Sequence, residues 1–184
     1  KHRVFYPHSL GILYTAICNY LGFVNYGEEY KVMALGAFGN NSLDTKIKKL
    51  VKFDNNGIFK LNLDYFIHQK NINTFSITKD KIVINELLNI KKFENLFGIK
   101  KRNRNEKLDS CHFNLARSLQ NLFEEAYINY LNFSYEKYQE DNLCLAGGCA
   151  MNSLANGKIL EKNKFKNIYI QPAAYDAGGA IGAA

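Results

Sequence analysis

The sequence has no apolar run long enough to span a membrane, no apolar segment following its N-terminal Lys1-His2-Arg3, and no C-x-x-C pair. The first absence excludes a transmembrane helix and a membrane partner of that kind. The second excludes a signal peptide of the usual design, which points to a cytoplasmic location. The third leaves Cys18, Cys111, Cys144 and Cys149 without a metal-binding or redox pairing. Cys18 on an apolar helical face and Cys144 in an apolar strand read as buried free thiols of a reducing compartment. Cys111-His112 lacks matching partners for a metal site. No internal repeat is present. Charge of one sign is in modest excess: the formal net charge is +7. The lysines are scattered through Lys/Asn/Ile-rich stretches, and only Lys100-Lys101-Arg102-Asn103-Arg104 is a compact basic run. A solvated loop accounts for that run, and the scatter argues against a nucleic-acid partner.

What is present suffices for one core. The chain has 184 residues, 47% hydrophobic, a globular composition. It begins with Lys and stops at Ala183-Ala184 inside a helix-like pattern, so residues 1–184 are expected to be a partial domain of a longer protein.

The most informative stretch is Leu143–Ile159, LCLAGGCAMNSLANGKI. An apolar run, Gly147-Gly148 and a helically spaced Ala150, Met151, Leu154, Ala155 and Ile159 predict strand, tight turn, helix. At such a turn the backbone can approach a ligand with no Cβ in the way, and the first helical N–H groups favour an anion. The same pattern is also that of an ordinary strand-to-helix turn.

Elsewhere, Leu10, Leu13, Ile17 and Leu21 predict a helix starting near Pro7 and Ser9 and ending at Gly22. Gly27–Gly39 predicts a short helix with Tyr30, Met33, Ala34 and Ala37 toward a core and Glu28, Glu29 and Lys31 projecting at its start. Residues 40–106 read as an insertion: Asp54-Asn55-Asn56-Gly57 between VKF and IFKLN is a hairpin signal, followed by one or two short helices. Asp109 or Ser110 caps a long helix whose stripe is Leu115, Leu119, Leu122, Ala126 and Tyr130, with Glu124 and Glu125 outside it. The breadth of that stripe predicts packing against a sheet. A second strand spans Lys166–Ile170. Asp176 then opens the small-residue segment DAGGAIGAA, either as an N-cap, which the local pattern favours, or as a ligand carboxylate at a strand end.

Taken together, PHSLGILY (Pro7–Tyr14), GEEYKVMAL (Gly27–Leu35), LCLAGGCAMNSLANGKI and IQPAAYDAGGAIGAA resemble the carbamoyltransferases of the nodulation-protein and antibiotic-biosynthesis type. The resemblance implies an α/β fold: the second half of an actin/Hsp70/sugar-kinase-like domain, a mixed sheet flanked by helices. It further implies a donor-activating domain on the C-terminal side of the same parent chain, which makes carbamoyl-adenylate from carbamoyl phosphate and ATP. The activated carbamoyl group then passes to a hydroxyl of a small-molecule acceptor such as a sugar, nodulation factor or antibiotic. On this resemblance Asp176 is a ligand of a divalent metal, often iron. Gly147, Gly148 and Asn152 form the nucleotide-binding turn, and Glu28 and Lys31 lie on a helix edge facing the nucleotide, with Lys31 offsetting phosphate charge. His8 is a candidate general base or, equally, a structural helix-start histidine.

The chain departs from the family pattern at three places. Tyr175 stands where the family has glycine before the aspartate, which would narrow the pocket. Ala34-Leu35-Gly36-Ala37-Phe38-Gly39 replaces GLAPYG. The His-x-x-x-His pair that completes the metal site is missing and is expected upstream of Lys1. These departures leave a catalytically dead paralogue open. Two other readings also remain: a kinase or ATPase half-domain of the same superfamily, and a non-enzymatic binding module.

Overall fold

Helix α5 (Ser110–Tyr138) is the element on which the others pack. The computed structural model describes residues 2–71 and 73–184. The Asp109 carboxylate accepts from Cys111 N–H at 3.0 Å, and the His112 ring accepts from Asp109 N–H at 3.1 Å, a reciprocal cap at the helix start. The stripe Leu115, Leu119, Leu122 and Ala126 is fully buried. It does not face a sheet, as expected, but is covered mainly by α1 (Leu10–Tyr20), α2 (Glu29–Leu35), the 3-10 turn Gly36–Phe38 and α3 (Asp44–Ile47). Glycine permits this. A Cβ on Gly39 would lie 2.1 Å from the Phe113 carbonyl oxygen, and one on Gly36 would lie 3.4 Å from that of Ala116. The backbone after α2 therefore rests directly on α5.

That contact also decides which face of α2 is buried. Glu28, Val32 and Gly36 point inward, whereas Tyr30, Ala34 and Ala37, expected in the core, are exposed. In α1 the predicted positions Leu10, Leu13, Ile17 and Leu21 are all buried. The Ser9 hydroxyl caps the helix, and Gly22 leaves it with φ +83°.

Residues 40–106 carry α3, two hairpins and a second helix. β1 (Val51–Phe53) and β2 (Phe59–Leu61) pair across the predicted turn, where the Asp54 carboxylate accepts from Asn56 and Ile58 N–H and Gly57 has φ +76°. The second hairpin, β3 (Phe75–Ile77) and β4 (Ile82–Ile84), is bound to the segment before α2: Ile84 N–H donates to Val24 O at 2.7 Å and Tyr26 N–H to Ile82 O at 2.9 Å. Helix α4 (Ile90–Phe97) is capped by Asn89. Leu50, Phe59, Phe66, Leu88 and Phe93 join the same core as α1 and α5.

The basic run is a solvated loop only in part, with Lys100, Asn103 and Arg104 exposed. Arg102 is buried, and its guanidinium donates to the carbonyls of Leu21, Arg104 and Glu106. The C-terminal end of α1 leaves carbonyls unpaired, and a buried cation with several donors satisfies them.

The C-terminal part holds the parallel pair β5 (Asn142–Leu145) and β6 (Asn167–Ile170). Leu143, Leu145 and Ile168 pack on the core. Cys144 and Tyr169 alternate to the other face, so Cys144 is exposed rather than buried, while Cys18 is buried as expected. The helix expected after the glycine turn is broken into the 3-10 turn Gly148–Met151, α6 (Ser153–Asn156) and α7 (Ile159–Lys162). Asn152, extended at φ −76° and ψ 92°, restarts the chain by capping Ala155 N–H. Ala150, Ala155 and Ile159 are buried, but Met151 and Leu154 are thereby turned outward. The chain ends in α8 (Gly178–Ala183). The strands described form three two-stranded sheets flanked by helices, a mixed α/β arrangement. No described helix is long and apolar enough to cross a membrane.

Candidate functional site

The carboxyl ends of β5 and β6 lie side by side, and each runs into one of the glycine-rich segments. Gly147, with φ +96° and ψ 166°, occupies a conformation that essentially only glycine adopts. Its N–H donates to Ala174 O at 2.5 Å. That bond joins the glycine turn to the segment two residues before Asp176. The crevice at the carboxyl ends of parallel strands is where open α/β sheets place ligands. No atom lies within 4 Å of a Cβ built on Gly147 or Gly148. Among the described residues the N–H groups of Gly148 and Cys149 have no hydrogen-bond acceptor. The turn therefore offers two bare donors on an open face.

Asn152 sits at the end of this turn with its side chain fully engaged. It exchanges two hydrogen bonds with Gln120 of α5, at 2.9 and 3.0 Å. Gln120 also accepts from the Tyr14 hydroxyl at 2.9 Å and donates to Glu124 at 2.9 Å, and Lys158 neutralises Glu124 at 2.5 Å. Tyr14, Gln120 and Glu124 are all buried. Asn152 thus anchors the turn from behind. Glu124, expected outside the apolar stripe, belongs to this network, while Glu125 is half-buried and paired with Lys48.

Glu28 and Lys31 come together with each other and with Arg104. The buried Glu28 carboxylate accepts from Lys31 at 2.7 Å, from Arg104 at 3.0 Å and from Asn25 N–H at 3.0 Å. Burial alone would raise the Glu28 pKa, but the hydrogen bonds from Lys31 and Asn25 and the charges of Arg104 and Lys31 carry it below the ordinary carboxylate value. One buried carboxylate here faces two cations, and both cation side chains reach solvent. Helix α2 stands beside the turn, because Ser153 Oγ lies 4.0 Å from Met33 Sδ.

Asp176 is exposed and does not cap α8, whose start has no side-chain cap. Its charge is felt at Tyr26: burial first, then Asp176, raises the phenol above its usual value. Tyr175 is exposed beside it. Among the described residues no group of three His, Cys, Asp or Glu donors includes Asp176. The three that do cluster, Asp109, Cys111 and His112, are already engaged in capping α5. Burial and the adjacent Asp109 carboxylate push the Cys111 thiol up to about 11.

His8 turns away from the glycine turn toward the β1–β2 hairpin. Its Nδ1 accepts from Leu61 N–H at 3.1 Å, so the neutral ring carries its proton on Nε2. Burial first, then the charge of Lys60 and of His68, lowers its pKa.

The structure therefore joins the glycine turn that ends at Asn152 to the segment before Asp176, pairs Glu28 with Lys31 beside it, and leaves His8 pinning a hairpin. Arg104, Gln120, Tyr14 and Lys158 were not singled out by sequence. Gln120 and Glu124, four apart at the edge of an apolar stripe, were the available signal for the buried network.

A groove of about 660 Å³ adjoins this site between α1 and the β3–β4 hairpin, with Gly11, Ile12, Thr15, Tyr26, Phe75 and Ile82 among its lining.

A family model described as Carbamoyltransferase N-terminus matches residues 1–184. An uncharacterized protein of Synechocystis is 40% identical over 183 residues, covering 99% of this chain and 28% of that protein. Nodulation protein NolNO of Sinorhizobium fredii is 32% identical over 177 residues, 96% of this chain and 22% of that protein. Nodulation protein NolO of Bradyrhizobium diazoefficiens is 30% identical over 178 residues, 96% of this chain and 28% of that protein. The chain spans about a quarter of the length of these relatives.

Proposed function

Because the chain belongs to the carbamoyltransferase N-terminus family, we propose that it forms part of the site where an activated carbamoyl group passes to a hydroxyl acceptor. The donor is carbamoyl-adenylate, made from carbamoyl phosphate and ATP by a donor-activating domain of the same parent protein. The acceptor oxygen bonds to the carbamoyl carbon, the bond from that carbon to the adenylate phosphate breaks, AMP leaves, and the hydroxyl proton is released. The barrier falls if the leaving phosphate is held by donors already in place.

The observation that carries this reading is the Gly147 N–H to Ala174 O bond, which joins an open glycine turn to the Asp176 segment. Gly148 and Cys149 N–H would hold the adenylate phosphate, Lys31 would offset its charge, and Glu28 keeps Lys31 in place. Asp176 would supply one ligand to a divalent metal, a Lewis acid for carbonyl or phosphate. The steps above rest on the N–H groups and cations alone. A cytoplasmic setting is proposed for it.

The test uses the intact protein that carries this chain. Incubation with carbamoyl phosphate, ATP and a divalent metal is expected to yield pyrophosphate and carbamoyl-adenylate, read by mass spectrometry. Gly148→Val, which fills the open face of the turn, is expected to lower transfer by about 100-fold or more, the scale of losing oxyanion-type donors. Transfer unaffected by Gly148→Val would remove the donor from the turn. ATP cleaved to ADP with no need for carbamoyl phosphate would favour a kinase or ATPase instead.

A further inference from the structure

The segment before α1 is tied to residues 61–68 by two histidine rings that work in opposite senses. His8 Nδ1 accepts from Leu61 N–H at 3.1 Å, at the end of β2. His68 Nε2 lies 2.9 Å from Pro7 O. A carbonyl oxygen only accepts, so His68 carries its proton on Nε2 and donates. The Tyr6 hydroxyl adds a bond to His68 O at 3.1 Å. Tyr6, Pro7 and His8 are therefore each bonded across 53 to 62 residues of sequence.

The two rings do not respond alike to a proton. A protonated His68 still donates from Nε2. A protonated His8 can no longer accept, because the lone pair on Nδ1 has taken the proton and the new N–H faces the Leu61 N–H. Leu61 is buried, so its donor is left without a partner. Burial, then the charges of Lys60 on β2 and of His68, all disfavour the charged His8 ring in the closed arrangement. No carboxylate among the described residues is bonded to either ring. His68 itself is 1% exposed, stands edge-on to the rings of Tyr6 and Phe66, and has no partner for Nδ1 among the described residues. Nothing bonded to the pair offsets an added positive charge.

We propose that His8 is the proton-sensitive latch of a clasp that holds the Tyr6–His8 segment against β2 and His68 and lets it go on acidification. The clasp adjoins the start of α1. Ser9, the next residue, caps that helix, and a Cβ on Gly11 would lie 4.0 Å from Cys149 Sγ in the glycine turn. Opening it frees the lead-in to α1 and leaves the α5 core closed. The device does not depend on the carbamoyl-transfer chemistry.

The experiment follows hydrogen–deuterium exchange of the intact protein by mass spectrometry, in a series from about pH 7.5 to about pH 4.5 that brackets the ordinary histidine value. Exchange is corrected for its intrinsic pH dependence and read in residues 59–63 and in α5. In the wild type, protection of residues 59–63 is expected to fall below pH 6.5 by up to about tenfold per pH unit, as one proton taken up on opening requires, with α5 unchanged. His8→Asn, whose amide oxygen can accept from Leu61 N–H, is expected to give a flat profile. Tyr6→Phe, at an exposed position, is expected to lower protection of residues 59–63 about fivefold at every pH, the scale of one hydrogen bond. A flat wild-type profile overturns the latch. So does a fall that persists in His8→Asn, or one shared equally by α5. Protection unchanged in Tyr6→Phe shows that the bonds do not open together and overturns the clasp. Should His8→Asn lose α5 protection, the wild-type and Tyr6→Phe profiles decide.

Discussion

Glu28 shows how a single carboxylate can organise a site it need not enter. It is buried and receives two cations and a backbone N–H. Its folded pKa is depressed, so its stabilisation is fully present above the ordinary glutamate range and is lost as pH falls through the lowered folded value. Glu28→Ala is expected to cost ~2 kcal/mol, within the range for charge-assisted hydrogen bonds, and to flatten the acid limb of stability measured by urea unfolding. His8 gives the opposite test of role. Its folded pKa is also depressed, below 6.5. For a base, that means stability is unaffected well above 6.5, falls as pH drops through that value while the unfolded chain takes up the proton, and levels off below the folded pKa. His8→Asn, which can keep an acceptor for Leu61 N–H, should remove that decline on the acid side of 6.5. A decline that persists in the variant would assign it to another group.

Two glycines separate packing from chemistry at the level of elements. Gly39 lies where a Cβ would meet the Phe113 carbonyl at 2.1 Å, whereas nothing stands near Gly148. Gly39→Ala should cost about 3 kcal/mol, because backbone rather than a flexible side chain must move. Gly148→Val should leave the urea midpoint nearly unchanged, within ~1 kcal/mol, while abolishing transfer. The same pair explains what was legible in the sequence. The caps at Ser9 and Asp109, the Asp54–Gly57 turn and the strand ends at Gly147 are local signals, and local hydrogen bonding decides them. The buried face of α2 was misread because a distant helix backbone, reached through Gly36 and Gly39, outweighs its apolar periodicity. The break at Asn152 was missed because its cap is reinforced by Gln120, 32 residues away in sequence. Arg102 and Arg104 looked like a solvated run because nothing in their neighbourhood names Leu21 O or Glu28 as partners.

Over the whole molecule, the buried polar network centred on Gln120 is the connection between scaffold and site. Through Tyr14 it reaches α1, through Glu124 and Lys158 it reaches the start of α7, and through Asn152 it reaches the glycine turn. A network of this kind is worth having only when every member is satisfied, since the low local dielectric penalises an orphan. Gln120→Leu strands the Tyr14 hydroxyl and the Asn152 side-chain NH2, while Asn152 Oδ1 keeps only Ala155 N–H. It is expected to destabilise by ~2–3 kcal/mol. The loss should not add to that of Asn152→Ala: a double-mutant cycle by urea unfolding is expected to give a coupling of about 1 kcal/mol or more, as for residues sharing one hydrogen-bond network. In the intact protein the same substitution should raise the KM for ATP-derived donor more than it lowers kcat, because it loosens the turn without removing a group that touches the phosphate. Additive stability losses, or an unchanged KM alongside a fallen kcat, would detach the network from the site and leave it a feature of the core alone.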